Sequence, residues 1–166
     1  MAASTHGPYQ VTAWHRQFYL LDPDQPGDTA SPAFWTQEAF DSRLAVQPGV
    51  LGIGTDTNGE VPVTVEVFDA EPTTSLNGWD HVAEASLELS TRHLSIAGCP
   101  DMDVPIATIS LGPGWFRVRI YSADLSDQPP EVEYSGDSYL AQVWPSVPGE
   151  RTVIKKFPFP PKDHEN

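Results

Sequence analysis

Four ionisable side chains in the stretch GWDHVAEASLEL, residues 78–89, form the densest candidate for chemistry in the sequence. Asp80, Glu84 and Glu88 repeat every four residues, and His81 lies beside the first of them. On a helix this spacing would align the three carboxylates on one face, where they could bind a metal ion or exchange protons with a substrate. On a strand the same carboxylates would be spread along its length.

The apolar residues of this stretch favour the strand. Every second position is apolar, at Ala83, Ala85, Leu87 and Leu89. A period of two is typical of a strand with one buried face. Each carboxylate would then lie roughly 13 Å from the next, too far for two of them to bind one ion. The alternation therefore predicts that Asp80, Glu84 and Glu88 face solvent, that His81 points inward at the strand's end, and that no metal site forms here.

The composition describes an acidic chain that is long enough for one globular domain. It has 166 residues, of which 39% are hydrophobic, and a net charge of −14. Lys is absent before Lys155. A body this acidic repels nucleic acids and anionic membranes and attracts basic surfaces. The charge predicts a basic protein partner, no direct nucleic-acid binding and no membrane contact, and the alternative is that it serves solubility alone.

Motifs for cofactors, metals or covalent catalysis are not found. Cys99 is the only cysteine, so the chain cannot form an internal disulfide or a cysteine metal cage. The five histidines lack metal-binding spacings. The glycines of residues 52–59 lack the spacing and the following helix of a dinucleotide-binding loop. The sequence therefore predicts no cofactor, no metal and no catalytic residue.

The predicted location is the cytoplasm. The N-terminal residues lack the basic and apolar segments of a secretion signal. No apolar run reaches the length of a membrane span. A soluble cytoplasmic protein is the expectation that follows.

Local patterns predict short strands and one helix. Ser31 can act as N-cap, and Pro32 fits the first position of a helix over residues 32–44. The dipeptide Asn58-Gly59 predicts a hairpin turn between the strands on either side of it. Strands are predicted over residues 10–21, 49–55, 61–69, 81–89, 92–98, 105–112, 115–122 and 138–145.

Short strands separated by turn signals predict a mainly β fold, a single-domain antiparallel β-sandwich with one short helix. We assign residues 1–148 to the sandwich. Residues 149–166 are predicted to form an extended C-terminal arm, because the tail contains Lys and three prolines that exclude a helix. This arm holds four of the nine basic residues and could lie on the chain's own acidic face.

A long stretch without positive charge is the strongest candidate for a binding surface. No Lys or Arg occurs between Arg43 and Arg92. If the strands over 61–69 and 81–89 are neighbours, like charges face each other, which is destabilising unless a basic partner neutralises them. The alternative is a solvated face with Arg117 or Arg119 alongside. The predicted partner-binding residues are Glu66, Asp69, Glu71, Asp80, Glu84 and Glu88.

Several segments of the chain resemble the competence protein J family. The residues at matching places are Gln17, Phe18, Trp35, Thr36, Glu38 and Ala39. A later Pro-Gly turn into WFRVRIYSADLSD resembles the family's penultimate strand. Members of that family inhibit a DNA-entry nuclease. The resemblance covers about half of the chain in pieces and implies a small acidic binder of a nuclease, but it transfers no individual functional residue. The middle of the chain is similar to uncharacterised bacterial proteins.

Three functions are compatible with these observations. The leading hypothesis is a non-enzymatic acidic binding protein, a nuclease inhibitor or immunity-like partner. The second is a β-sandwich enzyme, or a module that binds a carbohydrate or another small molecule, with its site near His81. The third is a structural subunit of a larger bacterial assembly.

Overall fold

Alternating apolar residues fold the chain into two packed sheets. The computed structural model describes residues 4–129 and 134–158, which form eleven strands. The strands are β1 (Ser4–Ala13), β2 (Gln17–Leu21), β3 (Leu44–Gln47), β4 (Val50–Gly54), β5 (Gly59–Val67), β6 (His81–Leu89), β7 (His93–Ala97), β8 (Ala107–Ser110), β9 (Gly114–Ala123), β10 (Ser138–Pro145) and β11 (Thr152–Lys155). The helical elements are α1 (Gln37–Ser42) and a 3-10 turn (Trp14–Arg16).

The two sheets contain six and five strands. The six-stranded sheet has the order β1-β5-β10-β9-β6-β11, and the five-stranded sheet has the order β3-β4-β2-β7-β8. Within the described ranges all strand pairs are antiparallel except β5 with β10. The predicted β-sandwich with one short helix is confirmed.

The core lies between the sheets and is built by residues at every second strand position. On β6 the four apolar residues of the predicted alternation are all buried in it. They pack with inward residues of both sheets, including Phe18, Leu20, Leu51, Ile53, Val63, Val65, Phe116, Val118 and Val143. The strand assignment for residues 81–89 is therefore confirmed, and the helical alignment of its carboxylates is wrong.

The helix is shorter than predicted and begins later. Ser31 caps a turn instead, with its hydroxyl accepting the Ala33 N–H at 3.1 Å. The true N-cap is Thr36, whose hydroxyl accepts the Ala39 N–H at 3.1 Å. The helix ends at Ser42, and the C-cap residue Arg43 adopts a left-handed conformation with φ of 57°. The predicted span 32–44 is wrong in its first five positions, because a polar cap five residues downstream starts the helix, and in its last two, because β3 begins at Leu44.

The predicted hairpin at Asn58-Gly59 is wrong. β4 pairs with β2 and β3, whereas β5 pairs with β1 and β10 in the other sheet. The backbone N–H groups of Asp56 and Thr57 are bound by a carboxylate oxygen of Asp137, at 2.9 and 3.2 Å. The chain therefore turns a corner between sheets, where a side chain supplies the hydrogen bonds that a hairpin would make within itself.

Residues 10–21 form two strands in different sheets. β1 ends at Ala13, a 3-10 turn follows, and β2 begins at Gln17. Within the turn His15 and Arg16 have positive φ values of 61° and 59°. This reversal moves the chain from one sheet to the other.

Part of the predicted C-terminal arm is a strand. β11 pairs antiparallel with Val82–Glu84 of β6 and forms an edge of the six-stranded sheet. Just before it, Arg151 donates to the Leu44 carbonyl at 2.7 Å and pairs with the Glu38 carboxylate at 3.1 Å. The segment 151–155 thus bridges β6, β3 and α1, while residues 159–166 lie outside the described part of the chain.

Candidate partner-binding surface

The outer face of the six-stranded sheet, its side away from the core, carries most of the predicted binding residues. A row of register partners crosses this face: Glu66 of β5, Gln142 of β10, Arg119 of β9 and Glu84 of β6. Neighbouring strands lie about 4.8 Å apart, so Glu66 and Glu84 are separated by roughly 14 Å. The supposition that β5 and β6 are neighbours is wrong, and these like charges do not face each other.

Glu84 is neutralised within the protein. One of its carboxylate oxygens accepts Arg119 Nε at 2.8 Å, and the other pairs with Arg117 Nε at 3.3 Å. The guanidinium of Arg119 lies over the Trp144 ring, 4.7 Å from its centroid, and the residue is 1% exposed. For Glu84 the structure favours the alternative in which the neighbouring arginines relieve the charge.

The segment between β5 and β6 passes over β10 and β9 on the outer face. Its Glu71 carboxylate pairs with Arg119 Nη2 at 2.8 Å, and its Trp79 ring lies 5.2 Å from that of Tyr121. Glu71 and Asp69 are exposed on this segment. The structure therefore brings Glu71 and Glu84 together on one arginine, with Asp69 nearby in the chain.

The other predicted residues are dispersed. Glu66 accepts a hydrogen bond from Gln142 Nε2 at 3.1 Å. Asp80 lies just before β6 and accepts the Leu125 N–H at 2.9 Å. Glu88 lies near the other end of β6 and is exposed opposite Trp115. The six residues therefore form a spread of negative charge interrupted by two arginines, and they do not converge on one point.

His81 is part of the structural framework. It is 2% exposed, its Nε2–H donates to the Ser42 carbonyl at 2.8 Å, and its Nδ1 accepts the Phe157 N–H at 3.1 Å. Burial is the main reason that its pKa is lowered to about 4, and the positive charges of Arg43 and Lys156 add to the effect. Because both ring nitrogens are engaged and the ring is buried, the structure does not support His81 itself as a metal ligand or catalytic group.

A buried polar cluster at the corner between β4 and β5 was not predicted. Asp56 pairs with Arg43 at 3.1 Å, and Asp137 accepts hydrogen bonds from Thr57 and Tyr139. Burial, followed by the Asp137 charge, raises the pKa of Tyr139 well above its usual range. These groups satisfy one another, so the cluster is suited to fixing the corner rather than to chemistry. Its members lie far apart in sequence, and no local pattern could have linked them.

Neither a metal site nor a membrane span is seen in residues 4–129 and 134–158. No three His, Cys, Asp or Glu side chains there come close enough to hold a metal ion. No described helix is long and apolar enough to cross a membrane.

Comparison with known proteins gives a shared fold. No protein-family model matches the chain. No curated protein matches it. The structure is similar to ComJ from Bacillus subtilis, an inhibitor of the DNA degrading activity of NucA, with a TM-score of 0.64 and 14% identity over 88% of this chain and 99% of that one. It is also similar to the product of crocagin biosynthetic gene J, with a TM-score of 0.55 and 14% identity over 86% of this chain and 99% of that one. The fold implied by the resemblance to the competence protein J family is confirmed.

Proposed function

We propose that this protein is a non-enzymatic binding protein that inhibits a basic nuclease. The observation that carries the proposal is the fold shared with ComJ, an inhibitor of a DNA-degrading protein, over 88% of the chain. The net charge of −14 supports it, because nucleases that bind DNA present positive surfaces to the phosphate backbone. An acidic protein can occupy such a surface in place of DNA.

The acidic residues of the outer face would contribute mainly to the rate of association. Glu66, Asp69 and Glu88 make no ion pair within the described residues, whereas Glu71 and Glu84 are held by arginines. Charges at the rim of an interface steer the encounter and make it depend on salt. We therefore assign steering to the first three residues.

Capture of a nuclease from host extract tests this function. The purified chain is immobilised, incubated with extract at low and at high salt, and the eluted fraction is assayed for DNA degradation. We expect nuclease activity in the low-salt eluate and its suppression when free protein is added back. An eluate without nuclease activity at low salt would refute the proposal.

A matched pair of variants tests the surface. Replacing Glu66 and Glu88 with Gln and Asp69 with Asn should slow association with the captured nuclease by roughly two- to tenfold at low salt. The control carries the same change in net charge elsewhere, at the exposed residues Asp41, Asp101 and Asp103. Equal slowing by both variants would mean that the association rate depends on the net charge of the protein and not on the acidic residues of the outer face.

A further inference from the structure

A groove opens beside β6 where the two sheets part. β11 pairs only with Val82–Glu84 of β6, and no described strand lies along the same edge beside Ala85–Leu89. The space has a volume of about 520 Å³ and is bounded by three segments, residues 22–27, 46–49 and 148–151. Its walls are largely apolar, with Val46, Leu87 and several prolines. A groove of this size is large enough to hold a long side chain.

An aromatic ring and a free carboxylate lie side by side in this groove. Trp115 of β9 and Glu88 of β6 are register partners and both line it. Directly opposed residues have Cβ atoms only about 5 Å apart. Trp115 is 40% exposed, and Glu88 is exposed. Within the described residues neither side chain has a hydrogen-bond, ionic or ring partner, so both are available to a ligand.

The surrounding charges favour a cation. Asp22 also lines the groove. Its burial acts to raise the pKa of the carboxyl group, but hydrogen bonds from Ser90, Asp24 and Gln25 together lower that pKa, so the group is ionised. The guanidinium of Arg151 at the groove is already engaged by the Glu38 carboxylate and the Leu44 carbonyl. The groove thus contains more negative than available positive charge.

We propose that this groove captures an Arg or Lys side chain of the basic partner. The apolar walls would cover the alkyl stem, as they do when such side chains lie along apolar surface. The charged head group would lie between the Trp115 ring and the Glu88 carboxylate, which combines a cation–π contact with a charge-assisted hydrogen bond. Arg fits better than Lys, because a planar guanidinium can stack on the ring and present two N–H groups to the carboxylate. The inference rests on the proposed function for the partner, but the groove can be tested without it.

A second aromatic residue provides an internal comparison. Trp14 is 48% exposed and lines a different cavity, near the exposed carboxylate of Glu60. That cavity is lined mostly by polar or exposed groups, among them Gln10 and Asn58, and offers less apolar wall for an alkyl stem. A cationic side chain with an alkyl stem is therefore expected to bind in the groove at Trp115 rather than in the cavity at Trp14.

The experiment is an NMR titration of the full chain with Nα-acetyl-arginine methylamide. The indole N–H signals of Trp115 and Trp14 are assigned from the variants Trp115→Leu and Trp14→Leu. We expect saturable shifts at Trp115, weak binding in the millimolar range, and at least about fivefold weaker binding in Glu88→Gln. In Trp115→Leu, which lacks that indole signal, the backbone amide signals of the groove residues should report a similar loss of binding. The control variants Glu60→Gln and Trp14→Leu should bind as the parent does, and a probe with an uncharged norleucine side chain should bind more weakly than the arginine probe.

The outcomes separate this inference from the proposed function. Absence of a saturable shift at Trp115, or equal shifts for the norleucine probe, would overturn the groove assignment while leaving nuclease capture untouched. If a nuclease is captured and the double variant Glu88→Gln, Trp115→Leu binds it with the affinity of the parent protein, the groove assignment is also overturned. The inhibitor function stands in that case. If the arginine probe binds at Trp115 but no nuclease is captured, the groove is supported and the inhibitor function fails.

Discussion

The two halves of β6 carry similar residues and have different surroundings. In the first half His81 is bonded through both ring nitrogens, Glu84 is paired with two arginines, and β11 lies alongside. In the second half Glu88 is exposed and borders the open groove. Glu84 and Glu88 project from the same face of one strand, four residues apart, yet only Glu88 is available to a partner.

The difference lies in what the neighbouring strand presents. Glu84 is opposite Arg119, whereas Glu88 is opposite Trp115. A carboxylate opposite a buried guanidinium becomes part of the folded framework, since separating them would leave a buried charge unpaired. A carboxylate beside an exposed ring keeps its charge for a ligand. Counting acidic residues along a strand therefore does not locate a binding surface, and the cross-strand partner of each one must be known.

The largest expected effect concerns His81, in the half of β6 that lies beside β11. Its pKa of about 4 in the folded state is below the usual 6.5 of the unfolded chain. Above pH 6.5 both states are neutral and the stabilisation is complete. As pH falls from 6.5 towards 4 the unfolded state takes up a proton first, so this stabilisation is lost, by about 3 kcal/mol in all. In urea, the free energy of unfolding should be roughly 1 kcal/mol lower at about pH 5.5 than at about pH 7.5.

Two variants isolate this contribution. His81→Gln should be less stable at neutral pH, because the bonds to Ser42 and Phe157 are disturbed, and should lose less stability on acidification than the parent protein. His93→Gln, on β7 in the other sheet, is the matched control that removes a histidine without disturbing these two bonds. The same acid sensitivity in His81→Gln as in the parent would show that other groups cause it.

The next effect compares the two glutamates directly. Glu84→Gln removes the charge that faces Arg119, which is 1% exposed, and should lower the free energy of unfolding by about 2 kcal/mol. Glu88→Gln should change it by less than about 0.5 kcal/mol, as exposed substitutions usually do. Chemical denaturation of the two variants side by side measures both values. Equal losses would mean that Glu88 also has a structural partner.

The fold could be predicted from the sequence because its signals are local. Alternation over residues 81–89 and 61–69 identifies strands whatever their neighbours are. The predictions failed where groups distant in the sequence determine the local structure. The hairpin at Asn58-Gly59 does not form, because Asp137 binds the backbone at that corner. The start of the helix shifted because two possible caps, Ser31 and Thr36, lie close together and only packing selects one.

The candidate site was less predictable for the same reason. Predicting which strands are neighbours requires long-range pairing, and β5 and β6 are separated by β10 and β9. The sequence does indicate that Arg117 and Arg119 share one face of a strand, because they alternate with apolar residues in WFRVRIYS. Their position opposite Glu84 depends on the register of β6 with β9, which local patterning does not contain.

The smallest expected effect is the change in stability that Glu88→Gln causes, and its dependence on salt. In a chain with a net charge of −14, an exposed carboxylate without a partner adds to self-repulsion. Glu88→Gln should therefore raise stability by a few tenths of a kcal/mol at low salt, by analogy with the removal of a like-charge pair. The gain should vanish in roughly 0.5 M NaCl, where repulsion between exposed charges is screened.

The loss caused by Glu84→Gln should persist at high salt, because buried pairs are screened far less. Thermal unfolding of the parent and the two variants at both salt concentrations gives the comparison. A gain for Glu88→Gln that survives high salt would point to a packing cause and would contradict the view of Glu88 as a free charge. A loss for Glu84→Gln that disappears with salt would mean that its ion pairs behave as exposed ones, and the contrast between the two halves of β6 would then fail.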